Sequence, residues 1–245
     1  MCTIVVEVPD RPAAAVRLLA VRDENPGRAW DPPGRWWPDA HPGIVGVRDR
    51  RANGAWLAAD PAAGRLAVIL NRAGVAGHDR PEGPNGLASR GSLVLDAVTG
   101  AALPDPPRTA SFNLLSISGE GVVATGWDGE RLRQEVLAPG VHMLAHHEVD
   151  DADRTARIAA WLPEFRALAG LGENWRSEWT RLLSRSARLA PSDDRAIIRD
   201  NRAHGYPTLS LLACLAEVGP DSVRLDTAVL PTPARWEDRP FERSI

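Results

Sequence analysis

Apolar and polar positions alternate in short runs along the first 150 residues. Residues 2–8 (Cys-Thr-Ile-Val-Val-Glu-Val) are rich in β-branched side chains, which suit a pleated, half-buried surface and predict a strand from the second residue onward. Pro9-Asp10-Arg11-Pro12 carries turn chemistry, so residues 15–21 predict a second strand, hairpin-paired with the first. Residues 22–42, crowded with Pro, Gly and the rings of Trp30, Trp36 and Trp37, read as a loop packed through its aromatics. Strands follow at 44–47, 55–59 and 65–70, then a surface loop at 74–87. Ser89 opens a short amphipathic helix to residue 98, with Leu93, Val94, Ala97 and Val98 apolar. Runs at 112–118, 122–127, 132–137 and 141–146 predict a meander, the first three separated by the turns Gly119-Glu120-Gly121 and Asp128-Gly129.

Beyond Asp150 the period lengthens. Ile158, Leu162, Phe165 and Leu168 share one helix face, with Pro163 as a potential break. Trp175, Trp179, Leu182, Leu183 and Leu189 define a second helix, and strand-like patterns return at 208–217 and 222–230. There are more strands than alternating βαβ units would supply. The expected class is therefore α+β, with two mostly antiparallel sheets flanked by helices in a single domain spanning residues 1–245.

Composition narrows the function. With 245 residues, 44% hydrophobic and 25% charged, the chain can bury a sizeable core. A net charge of −3 gives no basis for a nucleic-acid partner. The basic residues are all Arg, so no Lys can form a Schiff base or act as general base. Two cysteines, Cys2 and Cys214, make neither a disulfide framework nor a metal-ligand pattern and point to a reducing compartment. The N-terminus lacks a basic segment followed by an apolar one, and no apolar run approaches the ~20 residues of a membrane span. The expectation is a cytoplasmic protein with no membrane span.

The candidate chemistry centres on Cys2. One reading makes it a small buried hydrophobe. The other makes it a nucleophile: removal of Met1 would leave Cys2 with a thiol and a free α-amine, whose ordinary pKa of about 7.7–8.0 suits it to accept the thiol proton. The hairpin would set Arg22 and Asp23 beside it. A guanidinium there favours the thiolate, and a carboxylate can orient the α-ammonium. The alternative for Arg22-Asp23-Glu24 is a solvated charge run at a strand end. His142, His146 and His147 cluster near another strand end. They read as loop histidines ahead of a haem or metal site, and no metal ligand set is assigned. Cys214, inside an apolar run, reads as structural.

Met1-Cys2-Thr3-Ile4 followed by Arg22-Asp23-Glu24 resembles the NRDE-motif family, to which Transport and Golgi Organization protein two belongs. Further matches are Arg28-Ala29-Trp30-Asp31-Pro32-Pro33, Gly46-Val47-Arg48-Asp49, Gly54-Ala55-Trp56-Leu57, Leu70-Asn71-Arg72, Ser89-Arg90-Gly91 and Phe112-Asn113-Leu114-Leu115. The motif's Asn is Val21 here. The resemblance implies an αββα four-layer sandwich of the N-terminal-nucleophile hydrolase type, similar to choloylglycine and penicillin V acylases. It implies Cys2 as nucleophile supported by Arg22 and Asp23, and Asn71 in the setting of an oxyanion Asn. Asn113, Arg90 and Trp30 are implied binding residues. The implied activity is hydrolysis of an amide or thioester in a small acyl substrate, without a resident cofactor. The alternative is a non-catalytic carrier or chaperone for haem or an acyl or lipid ligand.

Overall fold

The computed structural model describes residues 2–11, 14–74, 86–238 and 240–245. In chain order the strands are β1 (Thr3–Val8), β2 (Val16–Glu24), β3 (Trp30–Gly34), β4 (Val45–Asp49), β5 (Ala55–Asp60) and β6 (Arg65–Asn71). After helix α1 (Gly91–Thr99) come β7 (Phe112–Ser118), β8 (Gly121–Trp127), β9 (Leu132–Val136) and β10 (Gly140–Leu144). Helices α2 (Ala156–Arg166) and α3 (Trp175–Ser186) precede β11 (Leu209–Gly219), β12 (Ser222–Val229) and β13 (Glu242–Arg243). The class is α+β with two sheets, as the order of patterns predicts. The chain divides into two compact units.

The first unit holds residues 1–27, 138–217 and 224–244. Its six-stranded sheet has the order β10-β1-β2-β11-β12-β13, and β1 pairs antiparallel with both neighbours. Ile4, Val5 and Val6 are wholly buried, which is why so many β-branched residues occupy a strand at the very start of the chain. Alternation sends Val5, Leu19, Val21, Val141, Met143, Ala213 and Leu215 to one face, where they form a core with α2 and α3. Phe165 and Trp175 meet Trp179 edge-on, with ring centroids at 5.4 and 5.2 Å, the arrangement aromatic quadrupoles favour. Pro163 does not end α2. It sits in the last turn, where its missing N–H forfeits one hydrogen bond and the helix runs on to Arg166.

The second unit holds residues 28–137 and 218–223, with Ile245. Its seven-stranded sheet follows the chain from β3 to β9 without a crossover. Helix α1 buries Leu93, Val94, Leu95 and Val98. Its first residue must be small: a Cβ on Gly91 would stand 2.9 Å from the Gly54 Cα and from the Ala55 N.

Two expectations are corrected, and one strand is added. Residues 30–34 are a strand, not part of a loop. With Pro32 and Pro33 unable to donate, β3 is confined to the sheet edge, where half its backbone needs no partner. The run at 141–146 does not continue the meander. Gly140 takes a φ of +133°, and the chain leaves the second sheet to pair with β1 in the first. A short strand at 242–243 pairs with β12, and two residues are too few to show a period. Most of the loop expected at 74–87 lies outside the described residues, as does Pro12 of the predicted hairpin turn. Among the described residues, no helix is long and apolar enough to cross a membrane.

Candidate functional site

The β1–β2 register ends at Thr3↔Val21, so Cys2 stands opposite Arg22, as the hairpin reading requires. Cys2, Arg22 and Asp23 are 6%, 3% and 6% exposed, so the solvated-charge-run alternative does not hold for the latter two. The thiol is held by the backbone of Asp23: Asp23 N–H donates to Cys2 Sγ at 3.3 Å, and Sγ–H points to the Asp23 carbonyl at 3.6 Å. Burial pushes the thiol pKa up and the Asp23 charge adds to this. The amino terminus, the Asp23 N–H and Arg22 pull it back down without overcoming burial. Cys2 therefore rests as a thiol, whose proton an adjacent base has to take. Cys214 is fully buried and its thiol is also raised by burial, in keeping with a structural role.

The Asp23 carboxylate is fixed from a distant part of the chain. Ser210 Oγ donates to Oδ1 at 2.6 Å and Asn201 Nδ2 to Oδ2 at 3.1 Å. Asn201 is itself held, because Arg199 Nε donates to its Oδ1 at 2.9 Å and its amide also reaches Thr208. Ser210 is the second residue of β11, and Asn201 opens a 3-10 turn spanning Asn201–His204. A second buried cation comes from α2: Arg157, 2% exposed, donates to Thr3 Oγ1 at 2.8 Å. Burial lowers its pKa to about 10, with Arg199 adding and with Asp23 and Cys2 opposing. The guanidinium remains charged at neutral pH. Both Asp23 carboxylate oxygens are thus hydrogen-bonded away from water, with buried guanidinium groups close by.

None of Asn201, Ser210, Arg157 and Arg199 is singled out by the sequence. Each is an ordinary residue of its segment, 130 or more positions from Cys2 along the chain, and no local spacing reveals it. A buried Arg on an otherwise apolar helix face, Arg157 beside Ile158 and Trp161, is the one signal that could have found any of them.

Asn71, Asn113, Arg90 and Trp30 lie in the second unit. Asn71 closes β6 and is exposed. Asn113, on β7, is 4% exposed and accepts from Arg72 NH1 at 2.9 Å over Gly126, where a Cβ would crowd both side chains at about 3.4–3.5 Å. Arg90 precedes α1 and donates to the Ser111 carbonyl at 2.9 Å. Trp30 begins β3, half-buried opposite Asp49. His142 has both ring nitrogens engaged, at 2.9 Å to Asp150 Oδ2 and 2.9 Å to the Ala138 carbonyl, and so is not an open haem ligand. No three His, Cys, Asp or Glu side chains among the described residues form a metal-ligand group.

Curated protein sequences yield no match. Among solved structures, the chain is similar to the Caenorhabditis elegans ortholog of N-acylethanolamine-hydrolyzing acid amidase, with a TM-score of 0.51, 94% of this chain and 100% of the other covered, and 12% identity. At that identity the likeness is one of fold, the N-terminal-nucleophile hydrolase fold expected from the resemblance. The model of the family described as Transport and Golgi organisation 2 matches residues 1–151, well over half the sequence and including Cys2, Arg22 and Asp23, and the chain belongs to that family.

Proposed function

We propose that this chain hydrolyses an amide or thioester of a small acyl substrate, with Cys2 as nucleophile. The observation that carries the reading is the seat of Cys2. It lies at the end of a central strand, its sulfur held by the Asp23 backbone, beside a carboxylate whose two oxygens are held by Ser210 and Asn201. A structural cysteine needs none of this apparatus, as Cys214 illustrates. The fold likeness to an amidase supports the same reading.

The chemistry follows from the neutral thiol. Removal of Met1 frees the Cys2 α-amine, which takes the thiol proton as sulfur bonds to the substrate carbonyl carbon. As the tetrahedral intermediate collapses, the C–N or C–S bond breaks and the α-ammonium returns the proton to the leaving group. Water then cleaves the acyl-thioester and releases the acid. Asp23 holds the ammonium without serving as the base, because a carboxylate is too weak a base for a raised thiol. Ser210 and Asn201 hold the Asp23 carboxylate in place.

Intact mass and a panel of acyl-amides and acyl-thioesters test this. The expected results are a chain lacking Met1, turnover abolished in Cys2→Ala, and a trace at most in Cys2→Ser. The rate should rise with pH to a plateau near the α-amine pKa, about 8, because the neutral amine is the required base. Retention of Met1 in the active protein, or equal turnover by Cys2→Ala, refutes the reading.

A further inference from the structure

The helix-covered face of the first unit's sheet carries a second concave site. A cleft of about 550 Å³ runs along α3, a size that small-molecule ligands commonly occupy. Its floor is Leu215 of β11 with Arg224 and Asp226 of β12, and Asp238, Pro240 and Phe241 wall it opposite the helix. Arg176, Thr180 and Ser184 recur every fourth residue, so one face of α3 lines the cleft from its first turn to its last, about 12 Å. The exposed wall is mainly apolar, and the lining shares no residue with the Cys2 site.

At one end, a single carboxylate answers three guanidinium groups. Asp226, 4% exposed, accepts from Arg176 Nη1 at 2.6 Å, Arg224 Nε at 2.9 Å and Arg243 Nε at 2.9 Å. Arg176 stacks on the Trp175 ring at 4.6 Å from its centroid, and its Nη2 is buried with no hydrogen bond among the described residues. A buried donor without an acceptor is costly and calls for an explanation. Glu217 Oε2 stands 3.7 Å from that nitrogen, beyond hydrogen-bond reach, and its side chain is 41% exposed, so water screens much of its charge. Asp238, the other acid of the lining, meets the last turn of α3, where Ser184 Oγ and Trp236 Nε1 donate to it. Arg181 is exposed and paired with Glu178. The Arg176 end thus combines crowded positive charge and an unused buried donor with an apolar wall.

We propose that this cleft binds a small organic oxyanion with an apolar body, a carboxylate or a phosphate monoester. Its charged head would lie on Arg176 and Arg224, and its body against Leu215, Pro240 and Phe241. The planar guanidinium fork matches the oxygens of either head group. Arg176 Nη2 gains from the ligand the acceptor that the fold does not give it. Binding here makes and breaks no covalent bond and does not depend on the hydrolase reading above.

Calorimetric titration of the full chain with octanoate, octyl phosphate and octanol tests this. At least one of the two anions should bind about tenfold to a hundredfold more tightly than octanol, the worth of hydrogen bonds to a charged group. The tighter of the two identifies the head group. Arg176→Met and Arg224→Met should each lower that affinity about tenfold and leave octanol unchanged. Either variant leaves Asp226 two other guanidinium partners, which protects the fold. Cys2→Ala should bind like the wild type, which separates this cleft from the nucleophile. Labelling the three Phe of the wild-type chain locates the ligand without any variant: the Phe241 ring resonances should move with the anion and those of Phe112 should not. Absence of binding by both anions, octanol binding as tightly as either, unchanged affinity in both Arg variants, or a Phe241 signal that stays still overturns the proposal. So does loss of binding in Cys2→Ala.

Discussion

The two units are built from the same materials in opposite ways. In the second, β3 to β9 are neighbours in space because they are neighbours in sequence. In the first, strands from the start of the chain lie between a strand near residue 140 and one near residue 210. Their buried polar groups differ accordingly. In the second unit, a neutral amide, Asn113, meets an Arg one strand away. In the first, Asp23 is met by residues 201 and 210, with Arg157 and Arg199 close by, so three distant segments converge on one carboxylate. Closing a sheet from distant segments costs loop entropy, but it can gather at one strand end groups that no local turn could place there.

The largest expected effect breaks these two polar nodes in turn. Asp23→Ala removes the anion from among buried cations and should cost about 3–5 kcal/mol, because an uncompensated buried charge remains. Asn113→Ala leaves Arg72 short of one neutral acceptor and should cost about 1–3 kcal/mol. Urea unfolding of the two variants measures the difference. Equal losses would mean that the first unit's charges are solvated and the contrast is unfounded.

Activity sharpens the comparison next. Ser210→Ala and Asn201→Ala each remove one hydrogen bond to Asp23 without touching Cys2. Displacing a positioned group by about 1 Å can cost 10²-fold, and losses between tenfold and that figure are expected in kcat with KM little changed. Ser210→Thr, which keeps the hydroxyl, should recover most of the rate. Arg72→Met, in the second unit, should leave Asp23 untouched and serves as the stability-matched control.

The same contrast explains what could be read from the sequence. Strands at 55–60, 65–71 and 112–118 are within a residue or two of their predicted bounds, because each buries a clear alternating or apolar face against its chain neighbour. Cys2, Arg22 and Asp23 were legible because one hairpin joins them. Arg157, Asn201 and Ser210 were not, because the packing that brings them to Thr3 and Asp23 exists only once distant segments meet in the folded unit. β3 was missed for a different reason: its Pro32-Pro33 reads as a breaker everywhere except on an edge.

Protons distinguish two histidines within the first unit, with opposite signs. The Asp150 hydrogen bond raises the His142 pKa against the opposing effect of burial. Its folded state therefore favours the proton, and the contribution is complete below the unfolded value of about 6.5 and fades as pH rises through the folded one. His142→Gln should lower Tm at pH 5.5 and leave it unchanged at pH 9. His146 is depressed to about 3, so its neutral ring favours the fold above about pH 6.5 and costs stability as pH falls below it. His146→Asn should therefore raise Tm relative to wild type at pH 5.5. Two variants shifting Tm the same way at pH 5.5 would refute the assignment.

The smallest expected effect lies in the second unit. Asp31 accepts from Arg48 Nε at 2.7 Å and from Arg50 Nε at 2.6 Å, an arrangement that resembles the charge cluster around Asp23 on paper. The resemblance stops at solvent, because the Arg50 side chain is 59% exposed whereas Arg199 is 3% exposed. An exposed guanidinium regains in water most of what it loses in the pair, and the ion atmosphere screens the remainder. With Arg48 still in place, Arg50→Gln should leave Tm within experimental error at low and high salt alike. Arg199→Gln cannot be rescued by water. It removes the donor that fixes Asn201 and one of the cations around Asp23, and it should lower both Tm and turnover. A salt-dependent loss in Arg50→Gln as large as that in Arg199→Gln would show that burial is not what separates the two clusters.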